Sequence, residues 1–121
     1  EYVSQEAVAF IEAQWNCQVF EHYGMTEMGL GCAVSCPTHE GYHVRESDLY
    51  LEIIDPKTGK PVADGVWGEV VFTTLTRRAM PFIRYRTGDI SRWIEEPCGC
   101  GSKLKRLDKV HDRKMKKGSC T

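Results

Sequence analysis

From Ser4 to Trp15, apolar residues recur at helical spacing, with Ala7, Val8, Ile11 and Trp15 on one side of the repeat. Ser4 stands where a hydroxyl would accept a free N-terminal N–H, and Glu6 puts negative charge in the first turn. One amphipathic helix is predicted. Cys17–Phe20 is a short apolar run that ends in the polar cluster Glu21-His22-Tyr23-Gly24, which predicts a strand feeding a turn. The pattern then becomes β-rich. Leu49–Ile54 predicts a strand, Asp55-Pro56-Lys57-Thr58-Gly59 supplies turn chemistry, and Asp64-Gly65 marks a second turn. Trp67–Thr74 predicts another strand, with Val70 and Phe72 on one face and Val71 on the other. Phe82–Thr87 and Ile90–Ile94 continue the series, separated by a bend at Gly88-Asp89. The expected class is α+β and β-rich, an N-terminal helix followed by short strands in a distorted barrel or curved sheet.

At 121 residues the chain can bury one modest core, and neither repeats nor low-complexity stretches divide it. Hydrophobic residues at 41% and charged residues at 27% exclude a mainly disordered or collagen-like chain. Sixteen basic side chains against 17 acidic ones leave a net charge of -1, so no global field favours nucleic acid or an anionic membrane. Basic residues do gather between Lys103 and Lys117, where a solvated tail is expected. No apolar run approaches the roughly 20 residues of a membrane span, and a secretory signal pattern is missing at the N-terminus, so a cytoplasmic location is expected. The start at Glu1 rather than Met suggests that upstream sequence has been removed.

Two segments concentrate chemistry. Tyr23-Gly24-Met25-Thr26-Glu27 sets an aromatic face, a flexible glycine, a hydroxyl and a carboxylate within five residues. Such a ring can stack on a purine, glycine allows close backbone approach, and Thr and Glu oxygens suit a phosphate-bound Mg2+. A turn with a capping Thr and a solvated Glu would have the same composition. About sixty residues later, Arg84-Tyr85-Arg86-Thr87-Gly88-Asp89 ends in a carboxylate able to accept hydrogen bonds from two neighbouring sugar hydroxyls. An ordinary turn between strands, with Arg84 and Arg86 exposed on an edge, is the plainer account.

In this order the two segments resemble the adenylate-forming superfamily of acyl-CoA synthetases, peptide-synthetase adenylation domains and luciferases. Its tyrosine-glycine-x-threonine-glutamate motif matches residues 23–27, and its threonine-glycine-aspartate motif matches residues 87–89. Glu69-Val70-Val71-Phe72-Thr73-Thr74-Leu75-Thr76, Met80-Pro81 and Ile83-Arg84-Tyr85-Arg86 look like the phenylacetate-CoA ligase branch, including its relatives that adenylylate a deazaflavin coenzyme. The resemblance runs from about residue 1 to 110. It implies that Tyr23 lies against adenine, Gly24 lets backbone approach the nucleotide, Thr26 meets phosphate oxygen, Glu27 holds Mg2+ and Asp89 binds the ribose hydroxyls. Thr26 and Glu27 would be the catalytic pair, acting through electrostatics rather than proton transfer. The implied reaction joins a carboxylate to ATP as an acyl-adenylate with loss of pyrophosphate, after which the thiol of CoA displaces AMP. An aromatic acid such as phenylacetate is the default substrate, and Gly29 to Cys32 would line one wall of its pocket.

The departures from the family pattern are specific. Within residues 1–121 the superfamily's Ser/Thr/Gly-rich phosphate loop with its Lys does not occur, and the small C-terminal domain with its catalytic Lys is expected to lie outside them. The glycine-arginine pair and hinge acid should fall near Asp112-Arg113, leaving Arg113 as a candidate ribose contact. The expected organisation is therefore residues 1–110 as the last part of an AMP-binding large domain, with residues 111–121 as a hinge remnant or aberrant tail. Such a piece would depend on the missing upstream and C-terminal domains as partners and would be inactive alone. A non-catalytic, zinc-stapled β module that binds a partner is the alternative.

The cysteines point to a metal site under either reading. Cys36-Pro37-Thr38-His39 and Cys98-Gly99-Cys100-Gly101 together offer three thiols and an imidazole, a donor set suited to tetrahedral Zn2+. Buried free cysteines would account for the same residues. The phenylacetate-CoA ligase branch is similar at both pairs, which implies a structural zinc held by Cys36, His39, Cys98 and Cys100. Cys32 is an alternative ligand, Cys17 is expected in the core, Cys120 in the tail, and His22 and His43 as packed or solvent-facing imidazoles.

Overall fold

The computed structural model describes residues 3–29 and 31–111. Helix α1 spans Gln5–Trp15 and starts as predicted, the Ser4 hydroxyl accepting from the Ala7 N–H at 3.2 Å. Asn16 ends it in the left-handed conformation, which Asn tolerates better than most residues. Its amphipathic stripe is another matter: Val8 is buried, whereas Ile11 and Trp15 are exposed, Trp15 by 78%. Local signals form this helix without a sheet beneath most of its apolar face. No helix among the described residues is long and apolar enough to cross a membrane.

Eight short strands follow, β1 at His22–Tyr23, β2 at Ala33–Ser35, β3 at Tyr42–Val44, β4 at Leu49–Ile54, β5 at Gly68–Thr74, β6 at Tyr85–Ser91, β7 at Trp93–Ile94 and β8 at Arg106–Leu107. The α+β, β-rich class is as expected, and the strands divide between two antiparallel sheets, one ordered β1-β2-β3-β8-β7 and one ordered β4-β5-β6. β4 and β5 pair without interruption from Leu49↔Thr74 to Ile54↔Glu69. Val70, Val71 and Phe72 are all fully buried, so both faces of β5 are covered rather than one. Burying each such side chain contributes about 1.5–3 kcal/mol. Phe72 sits against Phe82 and Tyr85, with ring centroids 6.0 and 5.2 Å away, and Leu51, Ile53, Val44, Trp93 and Leu107 belong to the same core.

Three local expectations change. Cys17–Phe20 is not a strand, and Cys17 is exposed, because the first pairing partner of β2 is His22–Tyr23. Gly88 and Asp89 do not separate two strands but lie inside β6. Arg106 is no part of a solvated tail: it is 4% exposed on β8, and its guanidinium donates to the carbonyls of Glu40 and Glu96. The buried arginine thereby ties the hairpin after β2 to the connection after β7.

Candidate nucleotide site and metal cluster

β5 and β6 lose register between Glu69 and Val71. Glu69 pairs with Ile90 and Val71 pairs with Arg86, so Thr87, Gly88 and Asp89 all stand opposite Val70. Three residues facing one exceed the usual two-against-one β-bulge, a distortion that bends a strand and re-aims its side chains. Gly88 accommodates it with a φ of +79°, in the region that favours glycine. Side chains replace the lost ladder bonds: Thr87 Oγ1 donates to the Val70 carbonyl at 2.8 Å and accepts from the Asp89 N–H at 3.0 Å.

The bulge carries Asp89 to the first sheet. Tyr23 Oη donates to Asp89 Oδ2 at 2.9 Å, joining residues 66 positions apart in sequence. Burial first, and then the neighbouring Asp89 charge, push the Tyr23 phenol well above the usual tyrosine range. Tyr23 lies on β1, and one residue past it the chain opens at the exposed Gly24. Thr26 and Glu27 follow on a short 3-10 turn, Thr26–Met28, with Thr26 exposed and Glu27 half-buried. Met28 anchors that turn in the core. Beside it, Met28, Gly29, Arg45, Asp48, Thr74 and Arg77 line an open cavity of about 250 Å3. The two sequence segments therefore meet at Tyr23 and Asp89, while Arg113 lies outside the described residues.

The cysteine set differs from expectation in one member. Cys36, His43, Cys98 and Cys100 bring their donor atoms within 4.8 Å of one another. His39 is not among them: it occupies the turn before β3 with a φ of +52°, and its ring stacks on Phe20 with centroids 6.1 Å apart. His43, four residues on, lies on β3 opposite Arg106 of β8, and that pairing brings it to the 98–100 loop. The Cys36 and Cys98 sulfurs are 3.5 Å apart, and His43 Nε2 is 3.3 Å from Cys100 Sγ. His43 Nδ1 faces the Leu104 carbonyl at 3.4 Å, and a proton on Nδ1 would leave the Nε2 lone pair facing the sulfurs. Thr38 Oγ1 lies 3.1 Å from Cys36 Sγ and 3.4 Å from Cys98 Sγ. That hydroxyl contact leads the effects lowering the Cys98 thiol to about 6. Cys32 stands apart, fully buried, and burial pushes its thiol up to about 12. Sequence reasoning missed His43 because Cys-x2-His is a local pattern, whereas the observed set depends on β3 pairing with β8.

The family model for AMP-binding enzymes matches residues 1–76, more than half of the chain. The chain belongs to the AMP-binding enzyme family. Among relatives in this family, it is 40% identical over 105 residues to the phenylacetate-coenzyme A ligase of Escherichia coli K12, covering 85% of this chain and 23% of that one. Over 93 residues it is 45% identical to the phenylacetate-coenzyme A ligase of Aromatoleum evansii, covering 75% of this chain and 21% of the relative. Its fold matches that of 2-hydroxyisobutyryl-CoA ligase solved in an open conformation with 2-HIB-AMP and CoA. The TM-score is 0.81 at 26% identity, over 91% of this chain and 25% of that one. The chain thus spans less than a quarter of the length of these two curated AMP-binding relatives.

Proposed function

We propose that this chain supplies the adenosine-facing part of the nucleotide site in an ATP-dependent, AMP-forming acid-CoA ligase of the phenylacetate-CoA ligase type. The Tyr23–Asp89 hydrogen bond at 2.9 Å carries the reading, because it joins at one point the two segments that resemble the family's nucleotide motifs. Asp89, set forward by its bulge, would accept from the ribose hydroxyls. Tyr23 would present its ring to adenine while its hydroxyl steadies Asp89, and the exposed Gly24 leaves room for close backbone approach. Thr26 would meet phosphate oxygen, and Glu27 would hold Mg2+, whose charge offsets that developing on the attacked phosphate. Relatives named as phenylacetate-coenzyme A ligases support an aromatic acid as the substrate class. The cavity beside Met28 and Gly29 is a candidate wall of the acid pocket. ATP and CoA as substrates, with Cys17, Cys32, Cys36, Cys98 and Cys100 free, support a cytoplasmic setting.

The same reading includes a structural zinc on Cys36, His43, Cys98 and Cys100. A tetrahedral site with ordinary zinc bond lengths separates its donors by about 3.5–3.8 Å, close to the 3.5 and 3.3 Å between the donor pairs here. Four protein donors close such a site to water, so its contribution is stability rather than chemistry.

A chimera tests the ligase reading. The matching 105-residue stretch of the E. coli enzyme is replaced by that of this chain. It is expected to release pyrophosphate from ATP when phenylacetate is present. Asp89→Ala is expected to raise KM for ATP by about 10- to 100-fold, the worth of lost charge-assisted hydrogen bonds. A folded chimera that forms no acyl-adenylate, or an Asp89→Ala variant with unchanged KM, would overturn the reading.

A further inference from the structure

Glu69 is 5% exposed, the only acidic side chain buried to that degree among the described residues. A buried carboxylate is costly unless its oxygens are paired. Here both are. Oε2 accepts from Arg86 Nε at 3.0 Å and pairs also with the terminal guanidinium nitrogen of Arg86, whose position is fixed further by the Pro56 carbonyl at 2.9 Å. Oε1 accepts from the Gly88 N–H at 3.0 Å, within the bulge. Arg86 and Gly88 flank Thr87, so one carboxylate grips the strand on both sides of the point where its register breaks. Gly88 N–H, with its φ of +79°, has Glu69 where a ladder partner would otherwise stand.

We infer that Glu69 is a positioning residue for nucleotide binding: its carboxylate holds the Thr87-Gly88-Asp89 bulge in the shape that presents Asp89 to ribose. This rests on the proposed role of Asp89. The hydrogen bonds of Glu69 go to Arg86 and to the Gly88 N–H rather than to Asp89 or Tyr23, so it acts through the backbone, one residue before the ribose-facing carboxylate. The ion pair with Arg86 keeps the carboxylate oriented, since a freely rotating Glu69 could not hold Oε1 on the Gly88 N–H. The sheet itself does not require this arrangement, because β4 and β5 pair fully on the other side of Glu69.

The test compares ATP with 2′-deoxy-ATP in the chimera described above. Deleting a ribose hydroxyl is expected to lower kcat/KM by about tenfold or more when the carboxylate is in place. Asp89→Ala removes that discrimination if the ribose reading is right. Glu69→Ala is expected to erode it at least threefold, with KM for ATP rising more than kcat falls, and Glu69→Gln, which retains an oxygen acceptor for the Gly88 N–H, is expected to restore it. A merely structural residue would weaken both nucleotides in proportion and leave the ratio intact. If Glu69→Ala does not fold, Glu69→Met fills the same volume without an acceptor and carries the comparison. Loss of discrimination in Asp89→Ala with an unchanged ratio in the Glu69 variants overturns this inference and leaves the ribose reading standing. An unchanged ratio in Asp89→Ala overturns both.

Discussion

Tyr23 presents its phenol to a carboxylate from a largely buried position, and both circumstances favour the neutral form. Burial penalises the phenolate first, and the Asp89 charge adds to it, so the folded-state pKa lies above the ordinary value of 10.0. The sign of the linkage follows. A group whose pKa rises on folding contributes stability that is intact below its unfolded pKa and is lost as pH climbs above it. Tyr23 therefore leaves stability untouched at neutral pH and begins to cost it only above about pH 10. Phenolate absorbance should show Tyr23 titrating late. Tyr23→Phe should abolish that late step and flatten the alkaline loss of stability. A variant whose late step persists would assign it to another tyrosine and remove the burial of Tyr23 beside Asp89 as its cause.

Elements with local signals were legible in the sequence, and those that depend on distant pairing were not. Ser4 caps α1 because its hydroxyl reaches an N–H three residues away, and β4 with its Asp55–Gly59 turn is equally local. The nucleotide motifs could be read through family resemblance. The bulge in β6 could not, since its shape depends on Glu69, 19 residues from Gly88. His43 was missed for the same reason: only the pairing of β3 with β8 carries it to the cysteines. Gly41, at the entrance to β3, tests how tight that pairing is. Its φ is +88°, and a Cβ there would stand 2.4 Å from the Leu107 carbonyl oxygen and 2.6 Å from Ile94 Cδ1. Backbone strain alone would cost about 1–2 kcal/mol. Because the carbonyl belongs to β8 and cannot swing aside, Gly41→Ala is expected to exceed that cost in urea unfolding. A loss under about 1 kcal/mol would mean that β3 and β8 separate easily, contrary to the close approach of their backbones.

At the scale of the molecule, the cysteine cluster joins the β2–β3 hairpin to the β7–β8 connection, beside the pairing of β3 with β8. Cys36 and His43 lie on the β2–β3 hairpin, Cys98 and Cys100 lie between β7 and β8, and Cys36 is 62 residues from Cys98. A zinc ion there would close a long loop and clamp one end of the five-stranded sheet, and its binding free energy would count directly toward folding. Without metal the same end rests on the pairings of β3 with β8 and β7 with β8 and on Arg106 with its carbonyl bonds. The purified chain is expected to contain one equivalent of zinc, and chelation is expected to lower Tm in a way that added zinc reverses. By mass action the stabilisation is about 4 kcal/mol when free zinc is a thousandfold above Kd. Histidine variants decide the ligand set most sharply. His43→Ala should lose zinc and much of the chelator-sensitive stability, as should a Cys98→Ser and Cys100→Ser double variant, whereas His39→Ala should keep both because its ring faces Phe20. Full zinc content in His43→Ala together with its loss in His39→Ala would return the fourth position to His39. It would also mean that the turn at residues 38–41 reorganises around the metal.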